Sequence, residues 1–430
     1  MSRGASRSMP NPKSITVLSP VIGAAHSNSF DQGEPQEAAQ LSHYLGQTLF
    51  SHLFEGSKQR KAWFTVFHEY PILFHAFSHA SAVHKDVLLN KITYSNTGQA
   101  LRHKGRSISL LKQFLANLDT ANLEILLIVM VTLATHDLSD SRLYMGTPTG
   151  FQAHEAHAYW MDVYGRLDTI PEHLGAIARL VELAGGLDKV KLPGLANCLA
   201  LTDLMILPSF PNILSYFLVR GKAPGRGFFT NIPGGLPTHT FSAFNGLATV
   251  DRCMTKYCGT HMKDDQYRRM MNTRNAMHYS VLALPSWSGL SQSERNGARQ
   301  ALYYEIARIA AVLYSCAVIY GLPPHRNWHI QLASQLESVI EKTTSLASDA
   351  PLLLLWALCV GALATFRSPN RKFFETRLAK LLLQQQDTLE TAANTEAILE
   401  DFLWSPRACG ESFAILWKEV HSKDPIDANF

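Results

Sequence analysis

An all-α protein, one large multi-helix domain or two helical subdomains, is what this sequence predicts. Three observations carry the prediction. Apolar residues recur at helical spacing over most of the chain, several helix-boundary signals stand where such patterns begin and end, and no run of alternating β-branched residues is joined by hairpin turns. The 430 residues are 46% hydrophobic, which suffices for a large core. Charged residues are only 17%, below the usual quarter, so few surfaces are richly charged.

Taken in chain order, residues 1–40 are rich in Ser, Pro, Gly and Asn without sustained period and read as a disordered arm. Residues 41–205 read as a first helical regulatory subdomain. Within it, residues 96–118 predict a helix whose apolar stripe is Leu101, Ile108, Leu111, Leu115 and Leu118, all within an arc of about 100°. Residues 123–134 are apolar all round and predict a buried helix. Thr169-Ile170-Pro171-Glu172 reads as a capping box, and the helix it opens is expected to stop at Gly185-Gly186, where a left-handed cap favours glycine.

Two Pro/Gly-rich loops stand out, residues 139–150 and the longer 206–240, which divides the first subdomain from a second at 241–422. Ser291-Gln292-Ser293-Glu294 is a second capping box, expected to open a long apolar helix that Gly321 caps and Pro323-Pro324 prevents from continuing. Residues 350–366 form the longest apolar run. It falls short of the roughly 18 apolar residues of a membrane span and predicts a core helix, so no membrane partner is expected. Trp356, Phe374, Trp404 and Trp417 are the anchors expected to hold the C-terminal helices together, ahead of a short tail at 423–430.

Three stretches, in this order, resemble the fungal-specific transcription factor domain, the regulatory region that usually follows a zinc binuclear cluster. The first spans residues 94–203 and carries Ala100-Leu101-Arg102, His173-Leu174-Gly175, Leu180-Val181, Gly185-Gly186-Leu187 and Asp203. The second runs from Glu305 through Arg308 to Tyr314. The third carries Leu355-Trp356, Gly361-Ala362, Arg371-Lys372-Phe373-Phe374, Phe402-Leu403-Trp404 and Leu416-Trp417. The chain departs from the family at Ala184, where a basic residue often precedes the paired glycines. It departs again at its start, because residues 1–100 contain no cysteine and the zinc cluster needs six close together. The resemblance implies a nuclear, non-enzymatic regulator that meets the transcription machinery or another regulator, with a small-molecule effector as a further partner. Direct DNA binding is not expected without the zinc cluster, and a net charge of +4 gives little pull toward a polyanion.

Other constellations were weighed against this reading. Cys253, Cys258 and His261, with His278 as a fourth, are zinc-ligand types, but ordinary thiols on a helix explain them as well. His154-Glu155-Ala156-His157 is one residue too short for the zinc-protease signature. Lys263-Asp264-Asp265 with Arg268 and Arg269 suggests the magnesium-binding pair of a helical terpene synthase, yet no second acidic motif follows. Phosphate-binding, dinucleotide-binding and nucleophile-elbow motifs are absent. The sequence therefore predicts no catalytic residue and no cofactor, with a helical secondary-metabolism enzyme and a purely structural interaction protein as the alternatives. Basic clusters at residues 58–61 and 367–372 are candidates for nuclear import.

Overall fold

The computed structural model describes residues 35–422, apart from 55–56, 89–97, 117–122, 137–145, 157–160, 165–166, 168–169, 207–234, 258–261, 296, 344–345 and 387. Among the described residues there is no strand, and the all-α expectation holds. Most of the residue 206–240 loop, the 423–430 tail and the first 34 residues of the arm lie outside them.

The N-terminal half comprises α1 (Pro35–Tyr44), a π-helical turn (Leu45–Leu49), α2 (Phe50–Leu53), α3 (Ser57–Glu69), α4 (Pro71–Leu88), α5 (Gly98–Ala116), α6 (Leu123–Thr135), α7 (Met161–Tyr164), α8 (Pro171–Leu183) and α9 (Leu195–Ile206). Helix α1 thus begins inside the segment read as an arm. Helix α6 is the hub, buried from Ile125 to Thr135 with α4, α8 and α9 around it, as its uniform apolarity predicts. Aromatic rings of Phe50, Phe54, Trp63 and Phe77 meet edge-on or tilted at 4.3–6.0 Å and close the core on the other side.

The C-terminal half comprises α10 (Thr238–Tyr257), α11 (Asp264–Leu282), α12 (Ala298–Tyr314) running into a second π-helical turn (Ser315–Tyr320), α13 (Trp328–Glu341), α14 (Leu346–Asp349), α15 (Pro351–Ala364), α16 (Arg371–Gln384), α17 (Ala392–Leu399) and α18 (Pro406–His421). Helix α15 is sheathed by α12, α13, α16, α17 and α18, which explains why residues 353–364 are all buried. One stretch, Arg299–Tyr320, is long and apolar enough to cross a membrane, but 83% of its most apolar window is buried inside the protein, as in a core helix. A Cβ on Gly361 would lie 2.2 Å from the Phe374 ring, so glycine is what lets α15 and α16 approach.

Residues 146–156 tie the halves together. The backbone N–H of Gly150 donates to Leu363 O (2.7 Å), that of Gln152 to Ala408 O (2.9 Å) and that of His154 to Val318 O (3.2 Å). The loop expected at 139–150 therefore ends as a strap across α15, α18 and the second π-helical turn.

Boundary signals fared unevenly. At the end of α8, Gly185 N donates to Glu182 O and Gly186 N to Val181 O, both 2.9 Å, with φ +86° and +101°. That is the double-bonded glycine cap the sequence predicts. Gly321 likewise caps the second π-helical turn with φ +78°. At the start of α8, Pro171 occupies the first turn as expected, but the cap residue is Ile170, which makes no side-chain cap, and Thr169 lies outside the described residues. The Ser291/Glu294 capping box is present, yet it opens only the 3₁₀ turn Gln292–Glu294, and α12 starts afresh at Ala298.

The stripe predicted for α5 holds at Ile108 and Leu111, which are partly buried against the core, is corrected at Leu101 and Leu115, and at Leu118 lies outside the described residues. Leu101 and Leu115 are each 49% exposed, whereas Ala100, His103 and Ser107 face the core. The buried face is turned through most of a quadrant because α4 offers polar partners. His75 Nδ1 lies 2.9 Å from His103 Nδ1, and the Ser107 hydroxyl donates to Ile72 O at 3.5 Å.

Candidate functional site

A cavity of about 110 Å³ lies in the N-terminal half where its core meets the C-terminal half. The two π-helical turns of the described structure both wall it, the first through Leu45 and Leu49, the second through Tyr320. Single π-turns cost regular hydrogen bonding and are found disproportionately at functional sites. Phe54, Trp63 and Phe77 form the apolar wall, and Asn197, which is exposed, lies on the side nearest solvent.

The polar wall comes from the end of α6 and from α9. His136 is 7% exposed, and its Nδ1 sits 2.9 Å from Thr132 O, a group that can only accept. Nδ1 therefore carries the proton, and Nε2 is a bare acceptor. Nε2 is buried and has no hydrogen-bond partner among the described residues. The neighbouring Thr135 hydroxyl spends its proton on Val131 O (2.8 Å) and so offers Nδ1 no proton of its own. His79 fixes the backbone here, with Nε2 3.1 Å from His136 O and Nδ1 3.1 Å from Ala100 O. Among the described residues, no Asp, Glu, Lys or Arg lines the cavity. Burial, with His79 and His84 nearby, pushes His136 down to about 3, so the imidazole is neutral. Burial pushes the Cys198 thiol up to about 12 and raises Tyr164, which keeps both protonated.

Buried neutral histidines make the fold acid-sensitive. Burial holds His278 at about 3, an effect the nearby Arg274 charge reinforces, and holds His75 and His329 at about 4. An unfolded histidine titrates near 6.5, so between about pH 6.5 and 4 the unfolded chain binds protons that the folded chain refuses. The histidine contribution is fully present above about pH 7 and falls as pH drops through that window. For His136 and His278, both held at about 3, the loss between pH 7 and 5 is expected to be about 2 kcal/mol each. Urea denaturation at the two pH values checks this, and equal midpoints would contradict it.

Comparison with known proteins places the C-terminal half. A model of the fungal specific transcription factor domain matches residues 260–425. This region is similar to that domain. No curated protein and no solved structure matches the chain. The match covers the second and third stretches on which the resemblance was read and leaves the first, residues 94–203, outside. The domain is that of transcription regulators, which in general are nuclear and non-enzymatic.

In the matched region, the tryptophan anchors hold the last helices to the core. Trp356, fully buried, stacks on Phe402 at 5.6 Å and donates from Nε1 to Leu403 O at 2.9 Å. Trp404 packs edge-on to Phe413 and donates to Glu396 Oε1 at 3.3 Å, while Trp417 is only half-buried. Arg371, 8% exposed, bonds Glu375, Glu419 and Phe366 O. It is thereby removed from the basic cluster at 367–372 as an import signal. Tyr320, the cavity wall, stacks on His278 at 4.3 Å, with the Arg274 guanidinium 4.7 Å from its ring.

The sequence-predicted ligand sets lie partly outside the described residues. Cys253 is exposed on α10, Cys258 and His261 lie outside the described residues, and His278 is buried with Nδ1 2.7 Å from Ser315 Oγ. His154 is engaged with Asp251 (Nε2 to Oδ1, 2.6 Å), and His157 lies outside the described residues. No group of three or more His, Cys, Asp or Glu that could hold a metal occurs among the described residues. Asp264 and Asp265 occupy the first turn of α11, where the helix dipole favours acids.

A buried polar junction at the strap escaped sequence reading. Asp251 accepts from the Tyr314 hydroxyl (Oδ2, 2.8 Å) as well as pairing with His154, and Thr255 Oγ1 lies 2.9 Å from Ser405 Oγ. Burial and the Asp251 charge raise Tyr314 well above its ordinary range, so it remains a donor. The two partners, Tyr314 and His154, lie 63 and 97 residues from Asp251 on separate segments, and no local pattern links them.

Proposed function

We propose that this chain is a transcription regulator acting by binding, with no bond chemistry of its own. It works in the nucleus, through the transcription machinery or another regulator, and a small-molecule effector modulates it. The observation that carries the reading is the match of residues 260–425 to the fungal specific transcription factor domain.

On this reading the protein reaches promoters through a partner and reads no DNA sequence itself. Crosslinking of the tagged chain in its native cell should recover it at promoters. The purified chain should bind duplex DNA no tighter than about 1 μM at physiological salt, the range of non-specific contacts. Sequence-specific binding well below that in a gel shift would overturn the partner-borne mechanism, and absence from chromatin would overturn the regulatory one.

A further inference from the structure

We infer that the cavity between the two halves is a binding site for a small, uncharged, mainly apolar molecule carrying one hydrogen-bond donor, of which a simple phenol is the type. The inference rests on the regulatory reading only for calling such a molecule an effector.

Size sets the first limit. Drug-sized ligands occupy pockets of about 300–1,000 Å³, whereas an apolar cavity of about 150 Å³ holds benzene. At about 110 Å³ this one takes a single ring or a short branched chain. Charge sets the second limit. With no ionised side chain among its described lining residues, the cavity would strip an ion of water and return nothing. Donor chemistry sets the third. The His136 proton is committed to Thr132 O, leaving Nε2 as a buried acceptor with no partner among the described residues. A buried acceptor left unmade costs free energy, and a ligand O–H or N–H restores it. The hydroxyls of Thr132 and Thr202 donate to Ile128 O and Cys198 O, so they too present only acceptor lone pairs.

The location supplies a route for the signal. The occupant would press on Leu45 and Leu49 of one π-helical turn and on Tyr320 of the other. Tyr320 passes its position to His278 and Arg274, both inside residues 260–425. Both irregular turns thus meet at a place where the N-terminal half touches the region matched by the transcription factor domain model.

The test is calorimetric titration of the full chain with phenol, anisole and benzoate at up to millimolar concentration. Phenol should bind at a single saturable site, about fivefold to tenfold tighter than anisole, which has the ring but no donor. Benzoate, charged at neutral pH, should not bind. His136→Phe should bring phenol and anisole to within about twofold of each other. If that variant fails to fold, ¹⁵N NMR of wild-type His136 replaces it, and the Nε2 resonance should move on adding phenol and stay in place with anisole. Equal binding of phenol and anisole to the wild type, binding of benzoate, or no binding because only water fills the cavity would each overturn the proposal. A failure here removes the site and leaves the regulatory reading standing. Absence of the chain from chromatin would remove that reading without touching the binding result.

Discussion

Trp356→Ala is expected to lower the melting temperature far enough that little folded protein survives at physiological temperature. The side chain is fully buried, stacks on Phe402 and holds the Leu403 carbonyl. Its loss opens a cavity among α12, α15 and α18 and leaves that carbonyl without its donor. Truncating a core tryptophan costs about 3–5 kcal/mol, against a typical total of about 5–15 kcal/mol. Trp404→Ala should follow the same course more mildly, since Trp404 is 4% exposed and bonds Glu396 at the longer 3.3 Å. Thermal denaturation of both variants decides the matter. An unchanged melting temperature for Trp404→Ala would instead mark an exposed docking patch and contradict the core role.

Asp251→Ala should be comparably damaging for a different reason. It would leave the His154 ring and the Tyr314 hydroxyl buried without the carboxylate that both contact at 2.6 and 2.8 Å. Removing one member of a buried pair costs about 3–5 kcal/mol because the remaining polar groups go unsatisfied. Asp251→Asn keeps a carbonyl for one of the two, so its loss should be roughly half as large. Urea denaturation of the pair gives the ordering, and a mild Asp251→Ala would show that the junction is wet or dispensable. Because His154 lies on the strap, proteolysis within residues 146–156 should also quicken in the alanine variant.

These two sites differ in how far the sequence alone could reach them. The tryptophan-bearing helices announce themselves because large apolar groups near the chain end have to be covered. The same physics makes residues 123–135 and 351–364 recognisable as buried helices. Glycine caps are equally local, since Gly185, Gly186 and Gly321 are demanded by backbone geometry within a turn. The capping box at Ser291 is genuine but local too, and it could not say that its helix would run only three residues. The α5 stripe misled because an apolar count treats histidine and serine as outward-facing, while His103 and Ser107 find partners on α4. The cavity and the Asp251 junction were beyond reach. Their walls come from residues 45–202 plus Tyr320, and from His154, Asp251 and Tyr314, brought together only by tertiary packing. No local signal marks a π-helical turn or an unfilled acceptor.

The regulatory role itself is tested most directly by fusing the full chain to a heterologous DNA-binding domain and measuring a reporter placed behind that domain's operator. The fusion should change transcription several-fold, in either direction, relative to the DNA-binding domain alone, and Trp356→Ala should return it to that baseline. A fusion that is folded, nuclear and bound at the operator yet leaves the reporter at baseline would contradict a regulatory function for this chain.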